Sequence, residues 1–171
     1  MEKYLSQIVG MPVVSENGQP LSRILDLCLN TDTGKVVGFL LAPAGQTVIA
    51  PIDVIDFDNG LIINDQDDII PANEIHQIAA LREKNIRILG NKVITKDGTY
   101  LGKVTNYAIH SKFLTLTKII ATKSLLGIIR YGRLIIGSKD IIEIKKDGII
   151  VKNLVEPLVV KKLKPDMAPT I

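Results

Sequence analysis

The side chains that could do chemistry here are few. His76 and His110 are the only histidines and Cys28 the only cysteine, while carboxylates gather at Asp53, Asp56 and Asp58 and in Asn64-Asp65-Gln66-Asp67-Asp68. A transition-metal site draws several His or Cys ligands from short spacings, and the chain has neither HExxH nor CxxC. A calcium loop needs a central Gly and a distal Glu. The acidic run has neither, so it reads as a solvated turn. No GxSxG, P-loop or GxGxxG occurs. We therefore expect no catalytic residue, no metal and no cofactor, and an enzyme is the least expected class.

Chemistry of contact is better represented. The stretch from Thr122 to Leu134 sets Leu125, Leu126, Ile128, Ile129 and Tyr131 among Lys123, Arg130 and Arg133. Aliphatic residues flanked by cations suit a patch for a protein partner or an anionic lipid surface. The same residues would equally suit a lengthened hairpin that packs on its own molecule. Charge is also divided along the chain. Residues 1–80 hold three basic against eleven acidic side chains, a net of −8, and residues 81–171 hold eighteen against seven, a net of +11. A basic half can meet an acidic protein, nucleic acid or an anionic membrane, and the acidic half can neutralise it within one molecule or between copies.

The elements that must hold these groups are strands. Aromatic residues make up 4% of the chain and there is no Trp, so the core has to come from Ile, Leu and Val, of which the β-branched pair favour strands. Apolar runs at Ile8–Val14, Ile24–Leu29, Val36–Leu41, Val48–Ile49 and Leu61–Ile63 are punctuated by Asn17-Gly18, Thr33-Gly34 and Asn59-Gly60. The same order then returns. Gly10, Val13, Gly18, Leu21 and Ile24 align without a gap on Gly90, Val93, Gly98, Leu101 and Val104. Cys28 falls on Ala108 and His110 on Asn30, which suits a small near-core residue and a turn residue.

A repeat of this length marks a duplicated domain rather than a short solenoid unit. The expected organisation is a first repeat over 1–72, a helical linker over 73–85 with Asn73 as its cap, a second repeat over 86–160 and a flexible tail over 161–171. Leu158–Val160 are expected to add a last strand. The halves differ between Leu41 and Ile49, where seven residues intervene, and between Ala121 and Ile135, where thirteen do.

The series Gly90, Val93, Gly98, Leu101, Gly102, Lys103 and Val104 resembles the PRC-barrel family, and Gly10, Val13, Gly18, Leu21, Ile24 and Gly34 carry the same pattern in the first half. Ser22 stands where Gly102 would align, and Thr115 stands near the place of Gly34. The resemblance implies a mainly all-β protein of two tandem small antiparallel barrels joined by a short helix. It also implies an adaptor module. Barrels of this kind occur in the H subunit of photosynthetic reaction centres and in a ribosome maturation factor. The motif is structural, so it carries no functional residue across.

The expected function is a non-enzymatic adaptor that mediates protein–protein contact, with self-association through the acidic and basic halves. RNA or ribosome-assembly binding and peripheral attachment to an anionic membrane are the alternatives. The lone Cys28 and an N-terminus without a basic and apolar leader suit a cytoplasmic location, and no run of about 18 apolar residues would span a bilayer.

Overall fold

The computed structural model describes residues 1–125 and 129–153, with 124, 125 and 129–131 described by their backbone, and among these residues there are fourteen strands and two helices. In order they are β1 (Glu2–Tyr4), the single turn α1 (Leu5–Ile8), β2 (Pro12–Ser15), β3 (Pro20–Leu29), β4 (Val36–Leu41), β5 (Thr47–Ile49), β6 (Val54–Phe57), β7 (Leu61–Ile63) and β8 (Ile69–Pro71). After α2 (His76–Lys84) follow β9 (Lys92–Thr95), β10 (Tyr100–His110), β11 (Thr115–Leu125), β12 (Ile129–Gly137), β13 (Ile141–Lys145) and β14 (Gly148–Val151). They form two sheets, one a half-barrel, with the short helix between them in sequence. The first runs β6-β7-β2-β3-β4-β5-β8, and the second β12-β11-β10-β9-β14-β13 with β1 added on β10.

The two sheets share one plan down to their irregularities. β2 meets β7 at Val13–Leu61, Val14–Ile62 and Ser15–Ile63, and β9 meets β14 at Val93–Ile149, Ile94–Ile150 and Thr95–Val151. These two pairings are parallel, within sheets whose other ladders are antiparallel as expected. β3 bulges on β4 between Ile24 and Asp26 and between Cys28 and Leu29, while β10 bulges on β11 between Val104 and Asn106 and between Ala108 and Ile109. Such bulges bend and coil a strand. That lets β3 and β10 each pair with one neighbour near the start and another near the end.

The halves meet at a local dyad. The Val36 N–H donates to Leu114 O at 2.8 Å and the Leu116 N–H to Gly34 O at 2.7 Å, with Lys35 and Thr115 bridged between them. Leu114 takes the left-handed conformation of Gly34, with φ of 49° against 70°. Leu114, not Thr115, is thus the counterpart of Gly34. Behind this contact lies a continuous apolar core that draws Ile24, Phe39 and Leu61 from one half and Ile109, Ile119 and Ile149 from the other, all nearly or fully buried. Each half is small for a core of its own, and sharing one removes that handicap.

Three local readings change. Ile8–Val14 is not one strand: Ile8 ends α1, Gly10 turns at φ of 86°, and β2 begins at Pro12. The linker helix starts at His76 rather than after Asn73, because β8 still pairs with β5 and the Ala72 N–H still donates to Gln46 O. A 3-10 turn over Ala72–Glu74 absorbs the gap, and α2 begins after Ile75 without a side-chain cap. Its Ile78, with Ile75 and Leu81, covers Val37 and Val48 on the outer face of the first sheet.

Candidate functional site

The described residues of the thirteen-residue segment 122–134 are built as strand. β11 and β12 pair from Lys118–Gly137 outward through Thr122–Arg133 and Lys123–Tyr131 to Ser124–Arg130 and Leu125–Ile129, whereas β4 and β5 meet only at Phe39–Ile49 and Leu40–Val48. β10 accompanies β11 as far as Lys103–Thr122. Beyond that point the hairpin continues as a two-stranded ribbon with no third strand among the described residues. Gly132, at φ of 70°, is the extra residue between Arg133 and Tyr131. A glycine in that conformation makes a bulge that twists a ribbon.

Of the residues expected to meet a partner, Lys123 is half-buried at the base of the ribbon and Arg133 is exposed opposite Thr122. The backbones of Leu125, Ile129, Arg130 and Tyr131 lie in the ribbon ladder, and Leu126 and Ile128 lie outside the described residues. The described backbone forms a hairpin ladder out to Leu125–Ile129. The expected strand at Leu158–Val160 and the tail over 161–171 also lie outside the described residues.

Where the ribbon leaves the sheet, Gly102 is decisive. Its φ is 128°, and a Cβ there would stand 2.6 Å from Thr122 O and 2.7 Å from Thr122 C. Backbone cannot yield as a side-chain tip can, so β11 passes β10 at Gly102 only because no side chain is present. The counterpart Ser22 faces a hairpin that ends sooner, and its Oγ donates to Ala42 O at 3.4 Å.

Asp65, Asp68 and His110 serve local structure. Asp65 accepts from the Asp67 N–H at 2.8 Å, and Asp68 accepts from the Asn64 N–H at 2.9 Å, so these carboxylates cap a 3-10 turn. Among the described residues no three His, Cys, Asp or Glu side chains are placed to share a cation. His110 Nδ1 accepts from the Lys112 and Phe113 N–H groups, as Asn30 Oδ1 does from Asp32 and Thr33. Burial pushes the Cys28 thiol above its ordinary value, which disfavours the reactive thiolate.

Sequence reasoning missed the role of the N-terminus. β1 crosses to the second sheet, where Glu2, Lys3 and Tyr4 pair with His110, Ile109 and Ala108. Lys3 is buried: its Nζ donates to Asp58 O at 2.5 Å and stands 5.5 Å from the centre of the Phe57 ring. Lys118 Nζ donates to Glu2 Oε2 at 2.5 Å. β1 thereby ties the β6–β7 turn of one half to β11 of the other. Three polar residues pairing more than a hundred positions away leave no local pattern to read.

No helix among the described residues is long and apolar enough to cross a membrane. No curated protein matches the chain. Residues 1–73, which hold the bulged, partly parallel first sheet, match the model of the PRC-barrel domain.

Proposed function

We propose that the chain is a non-enzymatic adaptor made of two PRC-type barrels, and that its second half meets a protein partner through the β11–β12 ribbon. The matching order of six strands in each sheet, and the matching bulges of β3 and β10, support the second barrel. The observation that carries the contact surface is the ribbon itself. It extends a hairpin beyond its sheet, in the half with net charge +11, at the one place where the other half keeps a short connection. Two-stranded ribbons gain little stability alone, so an added length of this kind is accounted for by what it touches.

The test transplants the short connection. Replacing 122–134 by the seven residues Ala42–Val48 should leave the circular dichroism and a cooperative melt in place. It should also remove the proteins cross-linked to the wild-type chain in its native cell. An unchanged cross-linking pattern would refute the ribbon as the contact.

The basic excess supports RNA as a second reading, on counterion release. Lys123→Glu, Arg130→Glu and Arg133→Glu together should then weaken a low-salt mobility shift. Unshifted RNA with the wild-type protein excludes this reading.

A further inference from the structure

The local dyad makes each half a template for the other, and one position of the template is empty. In the second sheet the last third of β10 has β11 on one edge and β1 on the other: Tyr4 pairs with Ala108, Lys3 with Ile109 and Glu2 with His110, and the Ser111 N–H donates to Met1 O at 2.8 Å. The corresponding stretch of the first sheet is Cys28, Leu29, Asn30 and Thr31. β3 is paired there with β4, but its other partner, β2, reaches only Pro20–Arg23. Among the described residues no strand lies along the opposite edge from Asp26 to Leu29. The residues that would correspond to Met1–Tyr4 are Leu81–Lys84, and they are wound into the end of α2. The two halves agree again at Ile8 and Ile88, both buried.

A groove of about 550 Å³ occupies the vacated position. Asp26 to Leu29 and Thr31 form one side, Leu81, Arg82 and the 85–89 segment form the other, and Tyr107 lies at its floor. Its volume is in the range of ordinary binding clefts. Thr31 lines the groove, and its Oγ1 is buried without a hydrogen-bond partner, a condition that costs free energy. A free strand edge is itself a row of donors and acceptors that an extended chain can satisfy.

The groove also differs from its filled counterpart in charge. Asn106 holds the end of the N-terminal segment: its Nδ2 donates to Ser6 Oγ at 2.8 Å, and its Oδ1 accepts from the Ser6 N–H at 3.4 Å. The residue in its place is Asp26, which keeps the local bond to the next amide (Leu27 N–H to Oδ1 at 2.8 Å, against 3.0 Å for Tyr107 and Asn106). An amide that both donates and accepts has become a carboxylate that only accepts. Asp26 is exposed, yet partial burial of its carboxyl raises its pKa, against the Leu27 N–H and then Arg87, which lower it. Arg82, the other cation of the wall, donates to Gly45 O at 2.6 Å.

We infer that the open edge of β3, from Asp26 to Thr31, is a docking groove for an extended segment of a partner protein that carries a basic side chain opposite Asp26. The segment adds antiparallel to β3 as β1 adds to β10. Its main chain meets Leu27, Leu29 and Thr31, and its Lys or Arg neutralises Asp26. This surface is separate from the β11–β12 ribbon, so either can fail without the other.

The probe is an eight-residue peptide with the sequence of Met1–Ile8, the segment that already fits the sister edge, carrying Lys at its sixth position (S6K). Its binding is followed by amide chemical shifts of the whole protein. Shifts are expected at Asp26–Thr31 and along 81–89, with affinity about tenfold above that of the S6E peptide, the size of one charge-assisted hydrogen bond. Lys3→Pro in the peptide removes the N–H that would pair with Leu29 and should abolish binding. Asp26→Asn in the protein restores the amide its counterpart carries, so it should fold normally and lose the preference for Lys over Glu. The 122–134 transplant should bind the peptide as the wild type does. Equal affinity for S6K and S6E overturns the proposal, as do shifts at Ala108–His110 from a peptide merely replacing β1. So does the lack of any shift at about 1 mM peptide, the weakest affinity worth the name.

Discussion

Gly102 and Ser22 hold the same place in the two halves, and one of them has no room for a side chain. The bulges beside them match: Val93 pairs with Gly102 and Val13 with Ser22, each followed by a register shift. The strand on the other side makes the difference. β4 ends at Leu41, so a hydroxymethyl group fits at Ser22, whereas β11 runs on into the ribbon and lays the Thr122 carbonyl over Gly102. The two halves thus keep a common strand plan while their margins differ. A residue's tolerance follows from which margin it faces.

This contrast gives the largest expected effect. Gly102→Ala places a Cβ in backbone and in a conformation that L residues rarely adopt, and should destabilise the protein by about 3 kcal/mol. Ser22→Gly removes only a long hydrogen bond and adds unfolded-state freedom, for about 1 kcal/mol. Denaturant midpoints of the two variants measure the asymmetry, and equal losses would mean that the ribbon does not constrain β10. In the 122–134 transplant, Gly102→Ala should become much milder, because the crossing strand has gone.

A second pair of equivalent positions separates the outer faces. Gly38 of β4 lies under α2, where a Cβ would stand 2.5 Å from Val48 Cγ2 and 2.9 Å from Ile78 Cδ1. Its counterpart, Lys118 of β11, faces Glu2 instead. Gly38→Ala should cost about 1–3 kcal/mol by overpacking. Because the obstacles are side-chain tips, Ile78→Val in the same chain should recover part of the loss. Hydrogen exchange of α2 amides reads the result locally, and unchanged protection in Gly38→Ala would mean that α2 does not rest on that face.

These pairs also show what could be read from the chain. Turn glycines and apolar runs are local, so Gly18 and Gly98, at φ of 80° and 91°, and the strands around them were legible. The hairpin at Ile129 was legible as one of two readings. Parallel pairing of β2 with β7 was not, since strands of Val and Ile carry no mark of direction. Leu114 hid its kinship with Gly34 because a leucine in the left-handed region breaks the residue pattern while keeping the backbone. β1 and the open edge of β3 escaped for one reason: strand edges are properties of neighbours, and Glu2-Lys3-Tyr4 shows nothing of His110. The divergence in charge and loop length was visible at once, whereas the vacancy at β3 appears only when one sheet is laid on the other.

The smallest effect tests the closed edge itself. Glu2 and Lys118 fasten β1 to β11, and each moves the other: Lys118's hydrogen bond chiefly lowers the Glu2 pKa, and Glu2's chiefly raises that of Lys118. For Glu2, the folded value lies below the unfolded one. Its contribution is therefore complete above the ordinary value near 4.5 and is lost as pH falls through the lowered folded value. For Lys118 the folded value is the higher, so its share holds below the ordinary value near 10.5 and is lost as pH rises through the raised one. The pair is partly open to water, which limits the effect to under about 1 kcal/mol. Glu2→Gln should accordingly lower the urea midpoint slightly at pH 7 and leave it equal to the wild type in acid, below the lowered Glu2 value. Exchange at Ala108–His110 should rise along with it, while exchange at the open Cys28–Asn30 edge stays as it was. A loss in Glu2→Gln that persists undiminished in acid would assign the role of Glu2 to packing rather than to its charge.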